Sequence, residues 1–470
     1  MNKLLTLFLF SFGLFVMQPK AEERVILNPE KTQQSIEGWG SSLCWWAAQI
    51  GTWEEAKVDS ILDCFLSKEG TNMNIFRYNI GGGDDPSHLG GHMVKGKGKR
   101  AEMEGFKDSP SSPFNFKADE AQRRILLKIK EKRPDAIFEA FSNSPPYWMT
   151  YSGCSGGNKD PMKDNLKPEY YQSFCDYLVE VCKYYKETYG IVFRTLEPFN
   201  ESTSGYWNAF GSQEGCHFNP QTQVKIIRIL DKKLKKSGLS TVISVSDETN
   251  IASFLKVMKT YKQEGDILNR IGQLNVHTYS GTNIEREKAC ALVRKTGLRF
   301  CQSETGPNKG KGIMSNLNLI QKMFDDLSIM KPLAWLDWQL MEERNEKWCL
   351  LTCDFKTKDY YINKNYYVRM QITRFFKQGY RFIETHNRKV LAAISPSKKE
   401  FVLTVLNNTS AEKKYNLDLT LFNGKVKIKK VYRTSETENC SLVPIPRVES
   451  GVVSYVSKPL SLQTFVCEIQ

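Results

Sequence analysis

Two short stretches set a carboxylate in matching surroundings. "EPFNEST" (197–203) and "CQSETGP" (301–307) each end a short apolar run on a glutamate, Glu201 and Glu304, with turn-forming residues close behind. Two carboxyl groups brought to one place can divide labour. A neutral one gives up a proton while an ionised one attacks or supports positive charge, provided their surroundings push their proton affinities apart. Other residues able to do chemistry end similar runs: Asn143, Asp247 and Glu248, His277 and Tyr279, and Trp338.

Those runs belong to a repeating pattern. Between about residues 35 and 340 a short apolar segment ends in polar or small residues and an amphipathic stretch follows. The segments are "SIEGWGSSL" (35–43), "NIFRYNIGGG" (74–83), "AIFEAFSNSPP" (136–146), "FRTLEPFNE" (193–201), "VISVSDE" (242–248), "LNVHTYS" (274–280), "RFCQSETG" (299–306) and "LAWLDWQ" (333–339). Helical patterns lie between them, such as 170–190 and 222–238, each stopping at a glycine. Strands alternating with helices imply parallel strands, and eight such units predict a closed (β/α)8 TIM barrel over residues 35–384. Chemistry in such a barrel sits at the C-terminal strand ends, where the residues above fall. After about residue 385 the texture becomes short β-type runs separated by turns. This predicts a β-sandwich side domain over 385–470, joined by the strand-like segment 22–34.

The chain has 470 residues and a net charge of +14. Lys and Arg are dispersed among acids, and no nucleic-acid motif is present, so nucleic acid is not expected as a partner. Lys3 followed by the apolar run Leu4 to Met17, with Ala21 behind, reads as a signal peptide over 1–21 rather than a membrane span. The expected product is a monomer, secreted or periplasmic, with no membrane insertion. The twelve cysteines include no C-x-x-C and no zinc-spaced set. Some could pair, Cys349 with Cys353 for example, or all could be buried thiols. No cofactor or metal is implied.

Two carboxylates across a barrel mouth suit cleavage of a glycosidic bond, one as acid and one as nucleophile or base. The motifs "GWGSSLCWWA", "FRYNIGGGD", "SNSPPYWM", "PFNES", "VHTYSG", "QSETG" and "WLDWQ" resemble glycoside hydrolase family 30, over nearly all of the chain and in the expected order. That family consists of retaining (β/α)8 enzymes with a β-sandwich built from both chain ends. "GWGSSLCWWA" and "QEGCHF" (213–218) look most like its endo-β-1,6-galactanase-like branch, and less like the glucosylceramidase branch.

The resemblance implies roles for individual residues. Glu201 matches the general acid/base, and Asn200 the residue that bonds the sugar 2-hydroxyl. Glu304 matches the nucleophile, held by Tyr279 with His277 nearby. Arg77 matches a strand-two arginine that supports the carboxylates. Asp84 matches a sugar-binding aspartate, and Trp148 and Trp338 match rings lining the first subsite. Arg77 and the Tyr279 hydroxyl would favour an ionised Glu304. His277 could equally be a satisfied strand histidine, and Asp247 and Glu248 could be structural. Glu197 and Trp335 read as structural, Trp335 because it lies one strand repeat from Trp338.

The implied activity is retaining hydrolysis of β-1,6-galactan, such as the side chains of arabinogalactan, with a polysaccharide or oligosaccharide as substrate. Alternatives are a β-1,6-glucanase, xylanase or glucosylceramidase activity, or a non-catalytic carbohydrate-binding protein. The loop 84–106, with Lys95, Lys97, Lys99 and Arg100, is expected on the active-site rim, where its cations could face acidic sugars or only solvent.

Overall fold

A computed structural model describes residues 22–83, 103–306, 309–343, 345–423 and 426–470. All eight apolar segments are strands: β1 Gly38–Ser42, β2 Ile75–Asn79, β3 Ile137–Phe141, β4 Thr195–Glu197, β5 Val242–Asn250, β6 Gln273–Ser280, β7 Arg299–Glu304 and β8 Ala334–Asp337. They pair in parallel in chain order, and β8 returns to β1, closing the barrel. β1 is admitted by glycine. A Cβ on Gly40 would lie 1.8 Å from the carbonyl oxygen of Ile75 on β2, so any side chain there would push the two strands apart.

A helix follows each strand among the described residues: α1 Glu55–Leu66, α2 Glu120–Lys132, α3 Tyr171–Tyr189, α4 Pro220–Ser237, α5 Ile251–Gln263, α6 Asn283–Thr296, α7 Ile313–Asp325 and α8 Lys364–Thr373. The glycines that the sequence marks as stops do stop helices. Gly190 and Gly238 sit in the left-handed region after α3 and α4, a conformation nearly free of penalty only for glycine. α6 starts from a reciprocal cap between Thr282 and Glu285. The apolar faces of these helices, with Leu178, Val181, Ile226, Leu230 and Phe254, bury against the outer face of the barrel.

Among the described residues the remaining strands form a three-stranded sheet within the β8–α8 connection and two larger sheets, of seven and four strands, packed over a core that includes Val25, Val390, Leu403, Leu417 and Phe465. The N-terminal segment contributes to both. Glu23–Ile26 pairs in parallel with Lys413–Asp418, and Thr32–Ser35 pairs with Arg381–Ile383. Arg381–Ile383 also pairs with Val390–Ile394, so the seven-stranded sheet begins slightly before residue 385 and takes in Ser35. Helix α8 ties sandwich to barrel: Gln371 on it donates to the Tyr432 carbonyl and accepts from Thr434.

No disulfide joins cysteines among the described residues, and Cys349 is not bonded to Cys353. No helix among the described residues is long and apolar enough to cross a membrane. Residues 1–21, Asp84 and the four basic positions of the rim loop lie outside the described residues.

Candidate active site

The C-terminal ends of β2, β4, β5, β6 and β7 bring their polar side chains into one buried cluster. Arg77, from the middle of β2, is fully buried and reaches across the barrel. Its Nη1 donates to Glu304 Oε2 at 3.1 Å, and its Nη2 pairs with Asp247 on β5. Its guanidinium also lies over the Phe141 ring, 4.2 Å from the centroid. Removing one carboxylate from such a buried set strands charge, so the three groups support one another.

Glu201, just beyond β4, and Asp247, within β5, adopt unusual backbone conformations. Both have positive φ, 49° and 46°, costing about 1–3 kcal/mol each for residues other than glycine. The surroundings enforce this geometry. The Glu201 amide donates to the Asp247 carbonyl at 2.8 Å, and the Trp207 indole donates to the Glu201 carbonyl at 3.0 Å.

His277 on β6 sits among three carboxylates. Its Nδ1 lies 3.0 Å from Glu201 Oε1 and 3.4 Å from Glu304 Oε1, and its Nε2 lies 3.4 Å from Asp247 Oδ1. Burial would lower its proton affinity, but Glu304, then Asp247 and Glu201, outweigh burial and push its pKa up to about 10. The three carboxylates thus favour its protonated form. The Tyr279 hydroxyl donates to Glu304 Oε1 at 2.9 Å. The contacts expected to ionise Glu304 are thus present, yet burial raises its pKa on balance. His277 and Arg77 pull it back, while Glu201 and Asp247 push it up. Asp247 differs: burial raises it, but Arg77, His277 and Ser303 together hold it below the usual carboxylate range.

One oxygen of Glu201 and one of Glu304 lie within 4.8 Å of each other and of a His277 nitrogen, a spacing a metal ion could use. His277 Nδ1 and Glu201 Oε1 are already hydrogen-bonded to each other, and Glu304 Oε1 accepts from Tyr279.

Above the cluster opens a cleft of about 220 Å³. Asn200, Glu201, Tyr279, Glu304 and Trp338 line it, with Asn143 from the end of β3. Tyr206, Gln213, Thr249 and Trp348 also line it and were not anticipated. Trp348 comes from the long β8–α8 connection, and Tyr206 and Gln213 from the loop after β4. Glu214, beside Gln213, fixes that loop to the end of β2 by accepting from Asn79 Nδ2 at 2.9 Å and the Gly82 amide at 2.8 Å.

Trp148 does not line the cleft. Its indole donates to the Lys107 carbonyl at 2.8 Å and its ring packs edge-on against Tyr170. Trp45, buried beside the cleft, packs edge-on to Trp338 with centroids 5.0 Å apart. Trp335 is core, its indole bonded to Asp326. Glu197 is buried beneath the site, and burial holds its carboxyl well above the usual range. Glu248 is bound by Thr203 and Ser202 on the β4 loop.

Comparison with known proteins agrees with this geometry. Residues 22–290 match the family model described as O-Glycosyl hydrolase family 30. The chain is 29% identical over 421 residues to an endo-β-1,6-galactanase of Hypocrea rufa, covering 86% of this chain and 85% of that protein. It is 25% identical over 408 residues to an exo-β-1,6-galactobiohydrolase of Bifidobacterium longum subsp. longum, covering 66% of this chain and 26% of that longer protein. A crystal structure of a conserved exported protein from Bacteroides fragilis superposes with a TM-score of 0.78 at 18% identity, covering 94% of this chain and all of that one, a likeness of fold. The closed barrel, its side domain and the family match over more than half the sequence lead to one conclusion: the chain belongs to glycoside hydrolase family 30 and is an O-glycosyl hydrolase.

Proposed function

We propose that this enzyme hydrolyses β-1,6-linked galactan with retention of configuration, using Glu201 as general acid/base and Glu304 as nucleophile. The observation that carries the mechanism is that an oxygen of Glu201 and an oxygen of Glu304 lie within 4.8 Å of each other. Retaining enzymes hold their pair about 5–5.5 Å apart, whereas inverting enzymes leave about 6.5–9.5 Å for a water. Glu304 Oε attacks the anomeric carbon as the glycosidic C–O bond breaks, and the proton of Glu201 passes to the leaving oxygen. Water then attacks the glycosyl ester, losing its proton to Glu201, and Glu304 departs as carboxylate.

The charges fit these roles. Arg77 and the His277 imidazolium offset two carboxylates, Asp247 and Glu304. Glu201 is the third carboxyl group of the cluster and the one assigned the acid/base role. Asn200 Oδ1 and Trp348 Nε1 are buried, line the cleft and have no hydrogen-bond partner among the described residues. An acceptor and a donor in that state suit sugar hydroxyls. The similarity to an endo-β-1,6-galactanase supports the choice of substrate. Residues 1–21 act in this reading as an export signal, and the enzyme works as a monomer outside the cytoplasm.

The test is turnover on arabinogalactan, debranched β-1,6-galactan, β-1,6-glucan, glucuronoxylan and glucosylceramide, with product sizing. Release of β-1,6-linked galactooligosaccharides at a kcat/KM at least about tenfold above any other substrate is expected. A preference for β-1,6-glucan or glucuronoxylan would overturn the substrate assignment.

A further inference from the structure

We propose that Tyr206 is a positioning residue for the acid step, its hydroxyl holding Glu201 Oε2 and stabilising the charge that grows there as the proton leaves. The inference rests on the reading of Glu201 as acid/base. Tyr206 lies five residues beyond Glu201 in the loop after β4, and its hydroxyl contacts Glu201 Oε2. Glu201 Oε1 is already taken by His277 Nδ1 at 3.0 Å. The carboxyl group is therefore gripped on both oxygens by donors.

A second feature gives the Tyr206 hydroxyl its direction. Thr249 Oγ1 lies 3.0 Å from it, and Ser204 Oγ lies 2.6 Å from Thr249 Oγ1. Thr249 can accept from Ser204 and donate to Tyr206, which leaves the phenolic proton for Glu201. Hydrogen bonds in such a chain polarise one another. Tyr206 also lines the cleft and is 47% exposed, so no core packing demands a tyrosine there.

A donor aimed at a carboxylate favours the ionised form. Tyr206 thus makes Glu201 a readier proton donor to the leaving oxygen and a slightly weaker base towards water in the second step. The two half-reactions should respond to its loss in opposite ways. Misplacement of Glu201 would slow both. The other charged or titratable groups facing Glu201 are unaltered by changes at Tyr206: Arg77 on β2, Glu197 on β4, Asp247 and Glu248 on β5, His277 and Tyr279 on β6, and Glu304 on β7.

Tyr206→Phe keeps the ring and removes only the hydroxyl. On β-1,6-galactooligosaccharides kcat/KM should fall about tenfold or more, as expected for loss of a hydrogen bond to a charged group. On a dinitrophenyl β-galactoside, which needs no acid, the first step should change less than about threefold, and kcat limited by the second step should hold or rise. The alkaline limb of the kcat/KM profile should move up by about one pH unit, because the ionised form has lost a donor. Thr249→Val should shift the same quantities in the same direction by less.

Equal slowing of both steps, or an unmoved alkaline limb, would overturn the inference. Glu201→Ala measured alongside separates the two levels. If that variant shows no dependence on leaving group, the acid/base reading fails. If it does and Tyr206→Phe matches the parent enzyme, only the role of Tyr206 fails.

Discussion

Glu304→Gln is expected to lower turnover by at least about 10⁴-fold while the protein stays folded. The amide cannot attack the anomeric carbon, and no other carboxylate is placed to replace it. Loss of a residue that forms the covalent bond typically removes most of the enzymatic advantage. The fold should persist because the glutamine keeps the volume of Glu304 and its oxygen can still accept from Tyr279, 2.9 Å away in the parent. Arg77 keeps its contact with Asp247. The measurement is kcat on a β-1,6-galactooligosaccharide together with a thermal unfolding curve. A folded variant with activity within tenfold of the parent would exclude Glu304 as nucleophile.

The second large effect is expected at Glu201. Glu201→Gln should reduce kcat/KM on unactivated linkages by about 10²–10⁴-fold, the usual contribution of general acid–base catalysis. The loss should shrink for aryl galactosides as their leaving groups become more acidic, because bond cleavage then needs no proton. Turnover of those substrates should instead stall at the glycosyl-enzyme stage, which lacks a base, and appear as a burst. The amide also weakens the contact with His277 at 3.0 Å, so the unfolding curve belongs in the same experiment. Equal loss across all leaving groups would count against an acid role.

The parts of this molecule that were legible in the sequence are those governed by periodicity. A barrel strand is buried on both faces, so each reads as a short apolar run, and the helices between them carry an apolar stripe that stops at glycine. That was enough to number the strands and to place Glu201 and Glu304 at the ends of β4 and β7. Arg77 and Tyr279 were legible through the motifs around them, and Trp335 through strand alternation.

What escaped depends on the path of loops. Tyr206 and Gln213 lie in "STSGYWNAFGSQEG", which has no period, and nothing local says which of its side chains turn towards the cleft. Trp348 sits in the β8–α8 connection, where the three-stranded sheet Met341–Glu343, Leu351–Asp354 and Asp359–Ile362 sets its position. Trp148 is the converse case, a residue singled out by its motif that lies outside the lining of the cleft. Its motif is specific, but a carbonyl at Lys107 captures its indole and turns the ring away. Asp247 was visible at a strand end, yet its weight in the site comes from a guanidinium three strands away, a contact that only the closed barrel creates.

The stereochemistry of the first product tests the double displacement most directly. Proton NMR of a β-1,6-galactooligosaccharide digest, recorded before mutarotation, reports the anomer released at the cleaved bond. Carboxyl oxygens of Glu201 and Glu304 within 4.8 Å of each other predict the β-anomer first, with the α-anomer growing in only by later equilibration. Initial release of the α-anomer would contradict the double displacement and, with it, the roles given to Glu201 and Glu304.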